Sequence, residues 1–145
     1  MLKTAKPVCF VATAKPAAAK TFYADILGLS LVEDSPFALV FEMSGTMLRV
    51  QKVQAVSPAP YTALGWEVDG IQSAVERLRK KGVRFEIYAG LGQDEFGIWT
   101  SPSGARVAWF KDADGNILSL TQFSRPSKRP KRAAKKKAGA DKRKS

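Results

Sequence analysis

Val107–Phe123 reads VAWFKDADGNILSLTQF, two short apolar runs around Asp112-Ala113-Asp114-Gly115-Asn116. Asp, Gly and Asn supply positive φ and local side-chain hydrogen bonds, so the stretch predicts a β-hairpin with a loop of about four or five residues. Beyond the turn, alternation places Ile117, Ser119, Thr121 and Phe123 on one face and Leu118, Leu120 and Gln122 on the other. Leu118 and Leu120 make one face apolar, as a core requires. The opposite face is mixed, which suits a cavity wall better than a second core. The hairpin is expected to close a cup, with Ser119 facing into it.

A cruder copy lies upstream at Ala38–Lys52, ALVFEMSGTMLRVQK. Aligning Phe41 with Phe110, and Ser44-Gly45-Thr46 with the longer turn, matches Leu48 to Leu118, Arg49 to Ser119 and Val50 to Leu120. A helical stretch precedes each hairpin, and an apolar strand precedes each helix. The chain therefore reads as a duplicated strand-helix-strand-strand-strand unit with a period of roughly 55–70 residues, too long for a solenoid.

Working outward, Pro7–Thr13 is the first strand and Pro16 opens the first helix. Ala19, Phe22, Tyr23, Ile26 and Leu27 form its apolar stripe, and Gly28 suits its end. Leu29–Glu33 is a short strand before the first hairpin. Ser57-Pro58-Ala59-Pro60 reads as a linker, since its prolines cannot donate to a ladder. Tyr61–Val68 is the next strand, with Asp69 as N-cap of a helix whose stripe is Ile71, Ala74, Val75 and Leu78. Arg77, Lys80 and Lys81 complement its C-terminal dipole, and Gly82 ends it. Val83–Tyr88 is expected to be a strand, residues 89–97 a glycine-rich loop, and Ile98–Thr100 a short strand.

The 145 residues suffice for one domain with its own core, and a hydrophobic content of 45% is that of a globular protein. No apolar run approaches the roughly 18 residues of a membrane span. Cys9 stands alone, which excludes an intrachain disulfide. Val8–Ala14 fits a first strand better than an export signal, so a cytoplasmic location is expected. The net charge of +11 is uneven: of 24 basic and 13 acidic residues, eleven and one lie in 124–145, which leaves 13 and 12 in the body. The tail has no aromatic or aliphatic anchor to offset its ordering entropy and is expected to be disordered.

Three stretches now carry a resemblance. Phe22-Tyr23-Ala24-Asp25-Ile26-Leu27-Gly28-Leu29, Trp66-Glu67-Val68-Asp69-Gly70-Ile71 with the later Lys81-Gly82-Val83, and Phe110-Lys111-Asp112-Ala113-Asp114-Gly115-Asn116 resemble the vicinal oxygen chelate superfamily. That group includes glyoxalase I, extradiol dioxygenases, methylmalonyl-CoA epimerase, fosfomycin-resistance enzymes and bleomycin-resistance proteins. The resemblance covers about residues 7–123 and implies an α+β fold. Paired βαβββ modules, about 7–54 and 61–123 with a linker at 55–60, would curl into one cup-shaped mixed sheet with helices outside.

Metal-using members place His or Glu on the first and last strands of each module. The matching positions here are Val8, Ala63, Arg49 and Ser119, or Phe10 and Gly65 if the first strands are offset by two. The chain has no histidine. A divalent ion needs several N, O or S donors converging within about 2–2.5 Å, and these side chains do not supply them. No metal or other cofactor is expected.

A cup without a metal can still bind. Alternation lines it with Val8, Phe10, Ala12, Met47, Arg49, Gln51, Ala63, Gly65, Glu67, Ile117, Ser119 and Thr121, an apolar wall with a few polar groups. The candidate ligand-binding residues are Phe10, Phe41, Arg49, Glu67, Trp99, Trp109 and Ser119. Arg49 reads as a clamp for an anionic ligand, as an ion-pair partner of Glu67 or Glu42, or as a side chain snorkelling at a sheet edge. Trp99 and Trp109 either flank the mouth and stack on a flat ligand or pack structurally, while Trp66 and Cys9 belong to the core. Nucleotide-loop spacings, CxxC pairs and Ser-His-Asp sets are all lacking.

Three functions fit. The first is metal-free sequestration of a small aromatic or anionic molecule. The second is lyase or isomerase chemistry through Glu67 and Arg49, with the catalytic residues unassigned. The third is salt-sensitive, non-specific nucleic-acid binding through Lys128, Arg129, Lys131, Arg132, Lys135, Lys136 and Lys137. The first is favoured. The cup would close either within one chain or across a homodimer.

Overall fold

The computed structural model describes residues 1–124, so the basic tail from Arg125 onward lies outside the described residues. The first module comprises β1 (Val8–Thr13), helix α1 (Pro16–Lys20), β2 (Ser30–Asp34), β3 (Ala38–Met43) and β4 (Thr46–Lys52). The second comprises β5 (Thr62–Glu67), α2 (Ile71–Lys80), β6 (Trp99–Thr100), β7 (Arg106–Lys111) and β8 (Ile117–Gln122). Each module forms a four-stranded mixed sheet, ordered β1-β4-β3-β2 and β5-β8-β7-β6. The duplication survives in the registers: Phe41 pairs with Leu48 as Phe110 pairs with Leu118, and the first strand of each module runs parallel to the last.

Local chemistry explains most boundaries. Pro16 occupies the first turn of α1, where a missing N–H costs nothing. The helix then widens into a π-helical turn at Thr21–Ile26, and Leu27 N–H reaches back to Phe22 O. Gly28, at φ 77°, ends it in the left-handed region that glycine enters without strain. Phe22 and Tyr23 are buried, as the apolar stripe requires, while Ile26 and Leu27 are half-buried.

Two local expectations are corrected. Asp69 does not cap α2: the N-cap is Gly70, and the Ile71 N–H donates instead to Gln122 Oε1 at 2.8 Å. A residue distant in sequence thus satisfies an orphan donor of the first turn. Residues 83–88 do not form a strand. Only Phe85 bridges to Phe110, and Glu86 N–H donates to Trp109 O. The Gln93 side chain takes over from a ladder there, accepting from Tyr88 N–H and donating to the carbonyls of Glu86 and Gly97.

The core is shared. Leu39, Phe41, Leu48 and Val50 of the first sheet and Ala108, Phe110, Leu118 and Leu120 of the second join Phe22, Tyr23, Ile71 and Val75 in one buried cluster. The Phe22 ring lies 6.3 Å from that of Phe110, and the Tyr23 ring 5.8 Å from that of Phe41. Helical side chains therefore fill the space between these two sheet faces. The opposite faces, which carry Arg49 and Ser119, look away from the shared core.

Candidate functional site

On the first module's outer face, alternation on β1 leaves Phe10 52% exposed and Val8 also exposed, with Met47 beside them on β4. Phe10 pairs with Arg49 across the parallel β1–β4 ladder, and Arg49 pairs with Val40 on its other side. Arg49 is half-buried and makes no hydrogen bond or ion pair with a described residue. The pairing with Glu42 or Glu67 is thus not formed; Glu42 turns back instead to accept from Gly45 N–H. A guanidinium flanked by an exposed phenyl ring and a valine is a partly dry cation, as a clamp for a carboxylate or sulfate requires.

On the second module's outer face the equivalent row is Gly65–Ser119–Trp109. Ser119 is only 7% exposed, and its hydroxyl has no hydrogen-bond partner among the described residues. A Cβ at position 65 would lie 2.4 Å from Ser119 Oγ, so glycine is what gives the hydroxyl its room. Trp109 stands between two other rings, Tyr88 at 5.6 Å edge-on and Trp99 at 6.1 Å tilted by 33°. Its Nε1–H donates to Thr62 Oγ1 at 3.2 Å, which fixes the indole. Burial, with Glu86 nearby, pushes the Tyr88 hydroxyl above its usual range and keeps it a neutral donor.

Phe10, Arg49, Trp99, Trp109 and Ser119 thus occupy the outer faces, and Glu67 is exposed at the end of β5 on the Ser119 face. Phe41 does not belong with them. It is 0% exposed, because its partner in the ladder is the core residue Leu48, and β3 alternation turns it toward Tyr23. Tyr88 is an addition, while Gly65, expected on the cup face, lies there beside Ser119. A glycine inside a strand was a readable sign of close approach, whereas Tyr88 lies in a loop where alternation gives no direction.

The registers also show the strand neighbours of Arg49 and Ser119. Phe10 and Gly65, rather than Val8 and Ala63, lie directly beside Arg49 and Ser119. Phenyl, glycine, guanidinium and hydroxyl do not fit a divalent cation, and no three His, Cys, Asp or Glu cluster among the described residues. No helix among them is long and apolar enough to cross a membrane.

Comparison with known proteins agrees with this geometry. Residues 7–120 match the family model described as Glyoxalase/Bleomycin resistance protein/Dioxygenase superfamily. No curated protein matches the sequence significantly. Among solved structures, a glyoxalase family protein from Bacillus anthracis is similar at 15% identity and TM-score 0.65, over 83% of this chain and 95% of that one. A lactoylglutathione lyase from Agrobacterium tumefaciens aligns at 18% identity and TM-score 0.65, over 82% and 93%. TnmS3, an antibiotic binding protein from Streptomyces sp. CB03234, aligns at 25% identity and TM-score 0.63, over 86% and 99%.

Proposed function

The chain belongs to the glyoxalase/bleomycin resistance protein/dioxygenase superfamily, and from that premise we propose that it is a metal-free protein that sequesters a flat aromatic anion. The observation that carries this reading is the Arg49 guanidinium, without a partner among the described residues, on an apolar outer face. The Tyr88–Trp109–Trp99 stack supplies the second requirement, a π surface for a flat ligand. The likeness to an antibiotic binding protein supports the binding of a small molecule.

In this reading the site is completed by a second copy of the chain. Phe22 and Tyr23 of the helical segment meet the core sides of both sheets, which favours completion of the Arg49 and Trp109 faces by a second copy over closure within one chain. A homodimer would lay the Phe10–Arg49 face of one copy against the Trp99–Trp109 face of the other. Val8, Phe10 and Met47 remain exposed in one chain, and covering each would contribute up to about 1.5–3 kcal/mol.

The test is calorimetric titration of flat aromatic carboxylates and sulfonates, with and without a chelator. The expected result is saturable binding of about micromolar Kd, indifferent to the chelator and weakened roughly tenfold or more by Arg49→Ala. Coexpressing Arg49→Ala and Trp109→Ala chains separates the two parts of the proposal. A mixed dimer should regain one intact site per dimer. Thermal stabilisation by Zn²⁺ or Ni²⁺ alone, or binding that ignores Arg49→Ala, would refute it.

A further inference from the structure

The duplicated modules have hairpin turns of unequal length, Ser44-Gly45 in the first and Asp112–Asn116 in the second. In the second module the longer turn plugs the seam against β1 and α1. Asp114 accepts from Thr13 and from Ala14 N–H, Asn116 Nδ2 donates to Ala12 O at 2.9 Å, and Asp112 accepts from the Tyr23 hydroxyl at 2.6 Å. The first module's turn is only Ser44-Gly45. Two hollows with shared lining lie between the modules, one of them beside this turn. One, of about 540 Å³, has Met43, Ser44 and Thr46 of the short turn in its wall. The other, of about 340 Å³, lies between Leu27 and Leu29 after the first helix and Trp66 and Leu78 across the seam. Leu29 and Trp66 line both, so the hollows form one crevice.

The lining has a defined chemistry. Leu27, Leu29, Trp66 and Leu78 are half-buried against the core, which leaves an apolar trough on the side of the sheets away from Arg49. Arg77 and Lys81 rise from one face at the end of α2, four residues apart. Arg77 makes no hydrogen bond or ion pair with a described residue. Among the described residues, Lys81 Nζ hydrogen-bonds only to the carbonyls of Asp25 and Ile26, at 3.3 and 3.5 Å. Glu67 lines the same hollow as Arg77 and Lys81, and Glu42 lies in the wall of the other, so the two cations gather at the α2 end of the crevice, beside the apolar stretch formed by Leu27, Leu29, Trp66 and Leu78. Its volume falls within the roughly 300–1,000 Å³ of small-molecule sites.

We propose that this seam crevice is a second ligand site, which takes an amphiphilic carboxylate: the unbranched tail lies along Leu29 and Trp66, and the headgroup meets Arg77 beside Lys81. Charge selects the ligand class. A neutral or cationic amphiphile of equal length fills the trough but forgoes the guanidinium, whose planar donors match a carboxylate in pairs.

The test titrates decanoate into the full-length protein by calorimetry and Trp fluorescence, with decyltrimethylammonium as the charge-reversed control. Decanoate is expected to saturate at one per chain and to bind at least roughly tenfold more tightly than the cation. Arg77→Glu, at an exposed position that leaves the fold intact by circular dichroism, should weaken decanoate roughly tenfold, and Arg49→Ala by less than about twofold. Equal affinity for both amphiphiles, or no saturable decanoate binding, overturns the proposal. So does a loss on Arg49→Ala with Arg77→Glu silent, which would move the ligand to the sheet face. Because the two arginines lie on different faces, failure here leaves the aromatic-anion site to its own test.

Discussion

At the scale of single residues, two contacts decide more than their size suggests. Tyr23 is fully buried, and its hydroxyl donates to Asp112, which Asn116 also engages. Burial first, then the Asp112 carboxylate, push the Tyr23 hydroxyl far above the usual tyrosine value of 10.0. In the unfolded chain this phenol would ionise near that value, while in the fold it keeps its proton. Its contribution to stability is therefore complete below pH 10.0 and declines as pH rises beyond it. Urea melts at increasing pH should show this alkaline loss, and Tyr23→Phe should reduce it while costing about 1–3 kcal/mol at neutral pH by leaving Asp112 short of a donor. Gly65 is the second contact. Gly65→Ala forces a Cβ into Ser119 Oγ and should cost about 1–3 kcal/mol in a denaturant titration. Adding Ser119→Gly should recover most of that loss, which an unrelated folding defect would not allow.

Among the elements, the Asp112–Asn116 turn does more than reverse the chain. Asp114 binds the end of β1 through Thr13 Oγ1 and Ala14 N–H, a hundred residues away in sequence. Asp114→Ala should destabilise by about 1–3 kcal/mol, since both partners lose their acceptor in a partly buried place. The same measurement should find a smaller effect at the exposed Asp34, whose carboxyl is held below its usual range chiefly by its hydrogen bond from Lys52. That depressed carboxyl stabilises the fold above the ordinary carboxylate value, and the benefit fades as pH falls through its folded value. The π-helical turn at Thr21–Ile26 is another feature of this scale. It places Phe22 and Tyr23 side by side in the core, rings 5.1 Å apart and edge-on, where each meets a different sheet.

For the molecule as a whole, the shared core separates the two halves of the proposed site. If a second copy completes it, sedimentation at micromolar concentration should report a dimer, and Phe10→Asp should yield monomers with the secondary structure retained. A monomeric protein that still binds aromatic anions tightly would contradict the cross-copy arrangement. The tail is a separate matter. Truncation after Ser124 should leave the melting temperature within about a degree, because the body carries its own core.

How much of this was legible beforehand follows from the range of each interaction. Alternation along a strand is local, so the hairpins, the apolar faces and the matching of Arg49 with Ser119 could be read from residue types at period two, and the duplication followed. The burial of Phe41 was implicit in the same pattern, since its match Phe110 and its ladder partner Leu48 both face the core. Side-chain contacts between distant segments could not be read so. Gln122 capping α2, Gln93 replacing a strand ladder and Asp114 gripping β1 depend on which segments meet in space. The sequence alone determined two βαβββ units and an apolar side to each sheet, with Phe10, Arg49, Gly65 and Ser119 on the opposite sides. Only tertiary structure decided that the apolar sides face one common core, because burying both against the same helices removes more surface from water than either sheet could alone.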